Sequence, residues 1–135
     1  MRAWDFTLIV PHRSGTVATL GEEFGKAGIN IEGICGFEHD GKGIFHVLVT
    51  DREGTRRVVE KFGNVGFEVT DESEVLVERI ENRPGVLGEY TRRIADQDIN
   101  LTTVYMATDT RLVLGAADVM QLEKAWQKAM AGARN

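Results

Sequence analysis

The sequence predicts an α+β protein made of two βαββαβ units in tandem, whose antiparallel sheets are each covered by helices on one face. Three observations carry this. The segments His12-Arg13-Ser14-Gly15-Thr16-Val17 and Gly28-Ile29-Asn30-Ile31 are echoed by Asn82-Arg83-Pro84-Gly85-Val86-Leu87 and Asp98-Ile99-Asn100-Leu101 at a fixed offset of 70 residues. An offset held through a loop, a helix and the next strand marks duplication of one folding unit. Strand-like and helix-like periodicities alternate in the same order in both halves. The two copies fill nearly all of the 135 residues, which divide into 1–72 and 73–135 with no flexible linker.

In the first copy, Trp4, Phe6, Leu8 and Val10 alternate with Asp5 and Thr7, as in a half-buried strand ending at Pro11. Val17, Leu20, Phe24 and Ala27 then fall at helical spacing, with Ser14 as the expected N-cap and Gly28 as a left-handed stop. A strand from Ile29 to Phe37 turns at Asp40-Gly41 into another from Ile44 to Thr50. A helix from Arg52 to Asn64 turns Val58, Val59 and Phe62 inward, and a short strand around Phe67-Glu68-Val69 closes the unit.

The second copy follows after Asp71, Glu72 and Ser73, a solvated acidic connection on this reading. Val75–Ile80 repeats the first strand, and Leu87, Tyr90 and Ile94 repeat the buried helix face. Ile99–Met106 and Arg111–Ala117 form the second hairpin, whose turn around Thr108-Asp109 has lost three residues. A last helix buries Leu122, Trp126, Ala129 and Met130. Nothing beyond Gly132 resembles a closing strand, so Val75–Ile80 is expected to be an open edge covered by another copy or a second chain.

Composition narrows the function. A net charge of −5 disfavours nucleic acid or an anionic membrane as partner. Cys35 is the only cysteine, which excludes an internal disulfide and fits a reducing, cytoplasmic setting. No signal peptide or apolar span is visible. His12, His39 and His46 show no metal-ligand spacing, and no cofactor is expected. A catalytic role for Cys35 needs a nearby base that the linear sequence does not identify. Tyr90 and Trp126 read as core, and Tyr105 as a candidate for an interface pocket.

The chemistry concentrates at the repeated motif. Gly15 and Gly85 sit where a strand turns into a helix, and a residue without Cβ lets a ligand reach the backbone N–H groups of the first turn. Such a corner suits a carboxylate. Arg13 and Arg83 add positive charge, and His12 and Asn82 add a polar group beside it. The competing account keeps the glycines for the turn alone and sends the arginines to solvent. Asn30 and Asn100 begin second strands that run parallel to the first, so each is expected at the end of its sheet opposite its own glycine corner. Two copies paired through antiparallel second strands would instead join Gly15 and His12 to Asn100, and Gly85 and Asn82 to Asn30. Alternatively each asparagine only caps the turn at a helix end.

The pattern Asn-Arg-Pro-Gly-Val-Leu, a helix of some twelve residues, then Ile-Asn-Leu, resembles the signature of ACT domains. The resemblance covers roughly residues 3–70 and 74–132 and is better in the second copy. Ser14 stands where the family favours proline, and Asp98 where a glycine usually ends the helix. It implies ferredoxin-like βαββαβ modules that hold amino acids at interfaces between domains and regulate amino-acid metabolism. The expected function is therefore a non-enzymatic, allosteric sensor of a free amino acid. It would act as a homo-oligomer, a homodimer in the simplest case, on a regulated enzyme. The alternatives are a ligand-free dimerisation module and an acylphosphatase-like hydrolase, although the loops Pro11–Gly15 and Glu81–Gly85 are poor in glycine for the latter.

Overall fold

The computed structural model describes residues 1–133, which fall into two compact units: Ala3–Ser73, and Met1–Arg2 together with the chain from Glu74 onward. In the first unit, β1 (Arg2–Pro11) leads to α1 (Thr16–Lys26), β2 (Gly33–His39), β3 (Lys42–Val49) and α2 (Arg52–Val59). A 3₁₀ turn at Phe62–Val65 then precedes β4 (Glu68–Arg79). The second unit takes up the later half of β4 and continues through α3 (Val86–Ala95), β5 (Leu101–Ala107), β6 (Arg111–Ala116) and α4 (Val119–Ala133).

The sheet of the first unit has the order β2-β3-β1-β4. Both β1 and β2 pair antiparallel with β3, in the registers Phe6↔Val47 and Ile34↔Val47, so β1 and β2 run parallel to each other. Alternation along the strands puts Phe6, Leu8, Val10, Val47 and Val49 into a core with Leu20 and Phe24 of α1 and Val58 of α2. Phe62 and Phe67 complete that core, their rings 5.2 Å apart and edge-on. In the second unit the order is β4-β6-β5, and Leu76, Leu112 and Leu114 meet Tyr90, Ile94, Leu122 and Trp126. Tyr90 and Trp126 are thus core residues, their rings 5.3 Å apart.

Several expectations need correction. The buried rows of the first helices are Thr16, Leu20 and Phe24 in α1, and Val86, Tyr90 and Ile94 in α3. Val17 and Leu87 are 53% and 47% exposed, and Ala27 is exposed as well. At about 100° per residue, a four-residue step drifts about 40° around the axis and a three-residue step about 60° the other way, so both rows were compatible with the spacing. The four-residue row is the one that reaches the sheet. Ser14 is not the cap: Gly15 occupies the N-cap position at φ 86°, and no side chain caps the helix. The stop at Gly28 is a Schellman turn, with Gly28 N–H donating to Gly25 O and Ile29 N–H to Phe24 O, both at 3.0 Å. Asp98 takes the same left-handed conformation in the second unit, φ 58°, which aspartate tolerates better than most residues.

The acidic connection is strand. Asp71, Glu72, Ser73 and Glu74 lie inside the twelve-residue β4, which serves as last strand of one unit and first of the other. Glu72 is neutralised there by Arg56, 2.7 Å away, and by Arg52, which itself stacks 3.6 Å above the Trp4 ring. The helix expected over 52–64 is broken into α2 and the 3₁₀ turn, and β2 starts at Gly33, later than expected. The edge at Val75–Ile80 is partly covered by the chain's own first residues: Val77 N–H donates to Met1 O at 2.8 Å, and Arg2 lies 3.5 Å from Glu74. The described residues end with α4 at Ala133, so a closing strand beyond it lies outside them.

Candidate functional site

The glycines of the two repeated loops have the same backbone conformation. Gly15 (φ 86°, ψ −6°) and Gly85 (φ 87°, ψ −10°) both hold the N-cap position in the left-handed region, and neither helix has a side-chain cap. A Cβ on either glycine would meet no atom within 4 Å. The space above each corner is therefore open, and the uncapped first-turn amides lie at the positive end of a helix. This is an arrangement that can receive an anion. The surroundings differ. In the first unit Thr16 Oγ1 donates to Pro11 O at 3.0 Å and to Arg13 O at 3.1 Å, pinning the loop from below. In the second unit Val86 replaces that hydroxyl with buried apolar packing.

The arginines differ more. Arg83 donates from Nε to Glu81 at 2.7 Å and from Nη2 to Glu89 at 2.8 Å, while Glu89 also lies 3.5 Å from Arg93. The hydrogen bonds to Glu81 and then Glu89 hold the guanidinium above its ordinary range, and that to Arg83 lowers the Glu89 carboxyl. Pro11 and Thr19 stand where Glu81 and Glu89 would fall in the first copy. Arg13 there is exposed and, among the described residues, in no ion pair. With exposed His12 it borders a cleft of about 280 Å³ that also receives Val17, Phe37, Glu38 and Phe45. Glu38 accepts the Gly41 amide at 2.9 Å. Phe45 fills the room left by two missing side chains: a Cβ on Gly36 would sit 2.2 Å from its ring, and one on Gly43 3.1 Å.

The outer wall of this cleft is the tip of the β2–β3 hairpin, which turns through Asp40 and Gly41 at φ 50° and 77°. Both left-handed residues match the twist of the strands. The loss of three residues shortens the second hairpin to Thr108-Asp109-Thr110, between Ala107 and Arg111. The second corner consequently has no counterpart to Glu38 and His39.

Of the predicted site residues, His12, Arg13 and Gly15 come together at one corner, and Asn82, Arg83 and Gly85 at the other. The asparagines do not join them within a unit. Asn30 precedes β2, whose first residue Gly33 is level with Asp5 through Leu48, whereas the Gly15 loop follows Pro11 at the opposite end of β1. Asn100 stands likewise before β5, whose first residue pairs with Ala116, while the Gly85 loop follows Arg79, which pairs with Arg111. Asn30, Asn100, His12 and Asn82 are exposed, and Asn30 donates to Glu32.

Glu81, Glu89 and the cleft-lining Phe37 and Glu38 were missed by motif reading. Aligning the copies would have flagged the two acids as charges that only one loop carries. Cys35 is partly exposed in β2. His46 is its cross-strand partner, and its Nδ1 lies 2.9 Å from the buried Asp5. Tyr105 is buried in β5. Among the described residues no group of three His, Cys, Asp or Glu side chains has metal-binding geometry, and no helix is long and apolar enough to cross a membrane.

No protein-family model matches the chain. No curated protein matches it in sequence. Solved structures do match in fold. Protein BT0572 from Bacteroides thetaiotaomicron is similar with a TM-score of 0.76 at 18% identity, over 95% of this chain and 88% of that one. The regulatory subunit of aspartate kinase from Thermus thermophilus, in a ligand-free form, is similar with a TM-score of 0.66 at 14% identity, over 95% and 91%. The corresponding subunit from Thermus flavus gives 0.60 at 16% identity, over 96% and 92%. Across nearly its whole length, the chain has the ACT-type fold of these regulatory subunits.

Proposed function

We propose that the chain is a regulatory protein that binds a free amino acid at its glycine corners and has no catalytic role of its own. The observation that carries this is the matched pair of left-handed glycines, each opening an uncapped helix N-terminus beneath unoccupied space. The carboxylate would accept hydrogen bonds from first-turn amides, with Arg13 or Arg83 adding charge and His12 or Asn82 orienting the ligand. The ammonium would go to asparagine oxygens. Since each asparagine stands at the far end of its own sheet, a ligand using both draws them from different units: Asn100 for the Gly15 corner and Asn30 for the Gly85 corner. Binding one arrangement better than another would pass the signal to a partner enzyme or through a homodimer. Likeness to aspartate kinase regulatory subunits supports the regulatory class.

A thermal-shift screen with the twenty amino acids tests this. A ligand at 100 times its dissociation constant adds about 2.7 kcal/mol, a readily measured shift in a chain of this size. No shift with any of them would overturn the reading and leave a ligand-free dimerisation module. Hydrolysis of an acyl phosphate would replace it with the hydrolase.

A further inference from the structure

We infer that the two corners are not equivalent: Glu81 and Glu89 occupy Arg83 in place of a ligand carboxylate, so the Gly15 corner is the first to accept an anionic ligand. This rests on the reading that the corners receive a carboxylate.

The glycine conformation does not distinguish the corners, since the dihedrals agree within a few degrees. The charge does. Arg83 has two carboxylates against it, at 2.7 and 2.8 Å, which engage its Nε and Nη2 donors and balance its charge. An incoming carboxylate must displace one of these acids to make a paired contact with Nε and Nη2, and it approaches a loop carrying two negative charges. Glu89 is held by Arg93 as well as Arg83, so it is fixed from two sides. The first corner has Pro11 and Thr19 at the equivalent positions, neither carrying a negative charge to pair with an arginine. The acid that lines its cleft, Glu38, accepts the Gly41 amide on the hairpin tip. Arg13 and His12 are thus left to the cleft that the longer hairpin walls. Glu81 and Glu89 are specificity-determining residues on this account, holding one of two similar corners closed to anions.

The full-length chain tests this in two steps. Phenylglyoxal, which reacts with accessible guanidinium groups, is followed at each arginine by peptide mass spectrometry. Arg13 should react at least ten-fold faster than Arg83, and a Glu81→Gln/Glu89→Gln variant should bring Arg83 to within about two-fold of Arg13. Equal reactivity in the unaltered chain overturns the inference. The strongest amino acid from the thermal screen is then added as protectant. It should shield Arg13 alone in the unaltered chain and both arginines in the double variant, with calorimetric stoichiometry rising from one to two per chain. Shielding of both arginines without the substitutions overturns the inference. Unequal reactivity with no amino acid bound by either protein refutes the carboxylate reading itself. The single variant Glu81→Gln, which leaves the Glu89–Arg93 contact intact, separates loss of the latch from loss of the fold.

Discussion

The two units solve the same folding problem with the same corner and then surround that corner differently. Gly15 and Gly85 share a backbone conformation, and Asp51 and Asp118 each cap the last helix of their unit, accepting amide hydrogens at 2.8 and 3.0 Å. What diverges lies outside the cores. The second unit has a shorter hairpin tip, a valine for the loop-pinning threonine, and two acids around its arginine. The glycine, arginine and asparagine of the motif recur in both units, and the residues that surround each arginine do not.

The largest effects should test whether the two cores contribute equally. Phe62→Ala and Trp126→Ala each remove a ring buried to within a few per cent, and each should cost about 3–5 kcal/mol in urea unfolding followed by circular dichroism. A loss under about 1.5 kcal/mol for one of them would break the equivalence of the cores. Next come the corners: Gly15→Ala and Gly85→Ala should each cost about 1–2 kcal/mol, because any Cβ is strained in the left-handed region. Values that differ by more than about 0.5 kcal/mol would show that the surroundings, not the dihedral, decide the cost. Asp51→Ala and Asp118→Ala should each lose about 1 kcal/mol, the usual worth of a cap.

The smallest effect sharpens the contrast through pH. The carboxyls of Glu72 and Glu89 are held below their ordinary value, chiefly by hydrogen bonds from Arg56 and Arg83 respectively. A depressed folded-state value means that the stabilisation is present above the unfolded carboxyl pKa, near 4.5, and is lost as pH falls through the folded value. Glu72→Gln should therefore flatten the acid limb of the stability profile below pH 4.5, by under about 1 kcal/mol in all. Glu89→Gln, at a more exposed pair, should flatten it less. A midpoint scan across pH 2–6 measures both.

Much of this was legible in the sequence because the 70-residue echo prints the same pattern twice. A glycine recurring at a strand-to-helix corner identifies a position that needs positive φ, and the alternation of Trp4 to Val10 identifies the strand leading to it. The failures share one cause: they depend on partners distant along the chain. Asp71–Glu74 reads as a polar connection until Arg52 and Arg56, on a helix, come to lie beside Glu72. Val17 and Leu87 read as core because their spacing fits, whereas burial follows the row that reaches the sheet. The cleft beside Arg13 needs the hairpin tip folded against the loop, and no local pattern reports that.

One consequence follows from β4. Val69 at one end packs against the first core, while Leu76 near the other belongs to the second. A gene cut between Ser73 and Glu74 would hand each fragment half of a twelve-residue strand, and with it half of a sheet edge. The fragments should express as adhesive, poorly folded pieces, each seeking the other's stub. Neither unit can be cut away from this chain without taking half of a strand from the other.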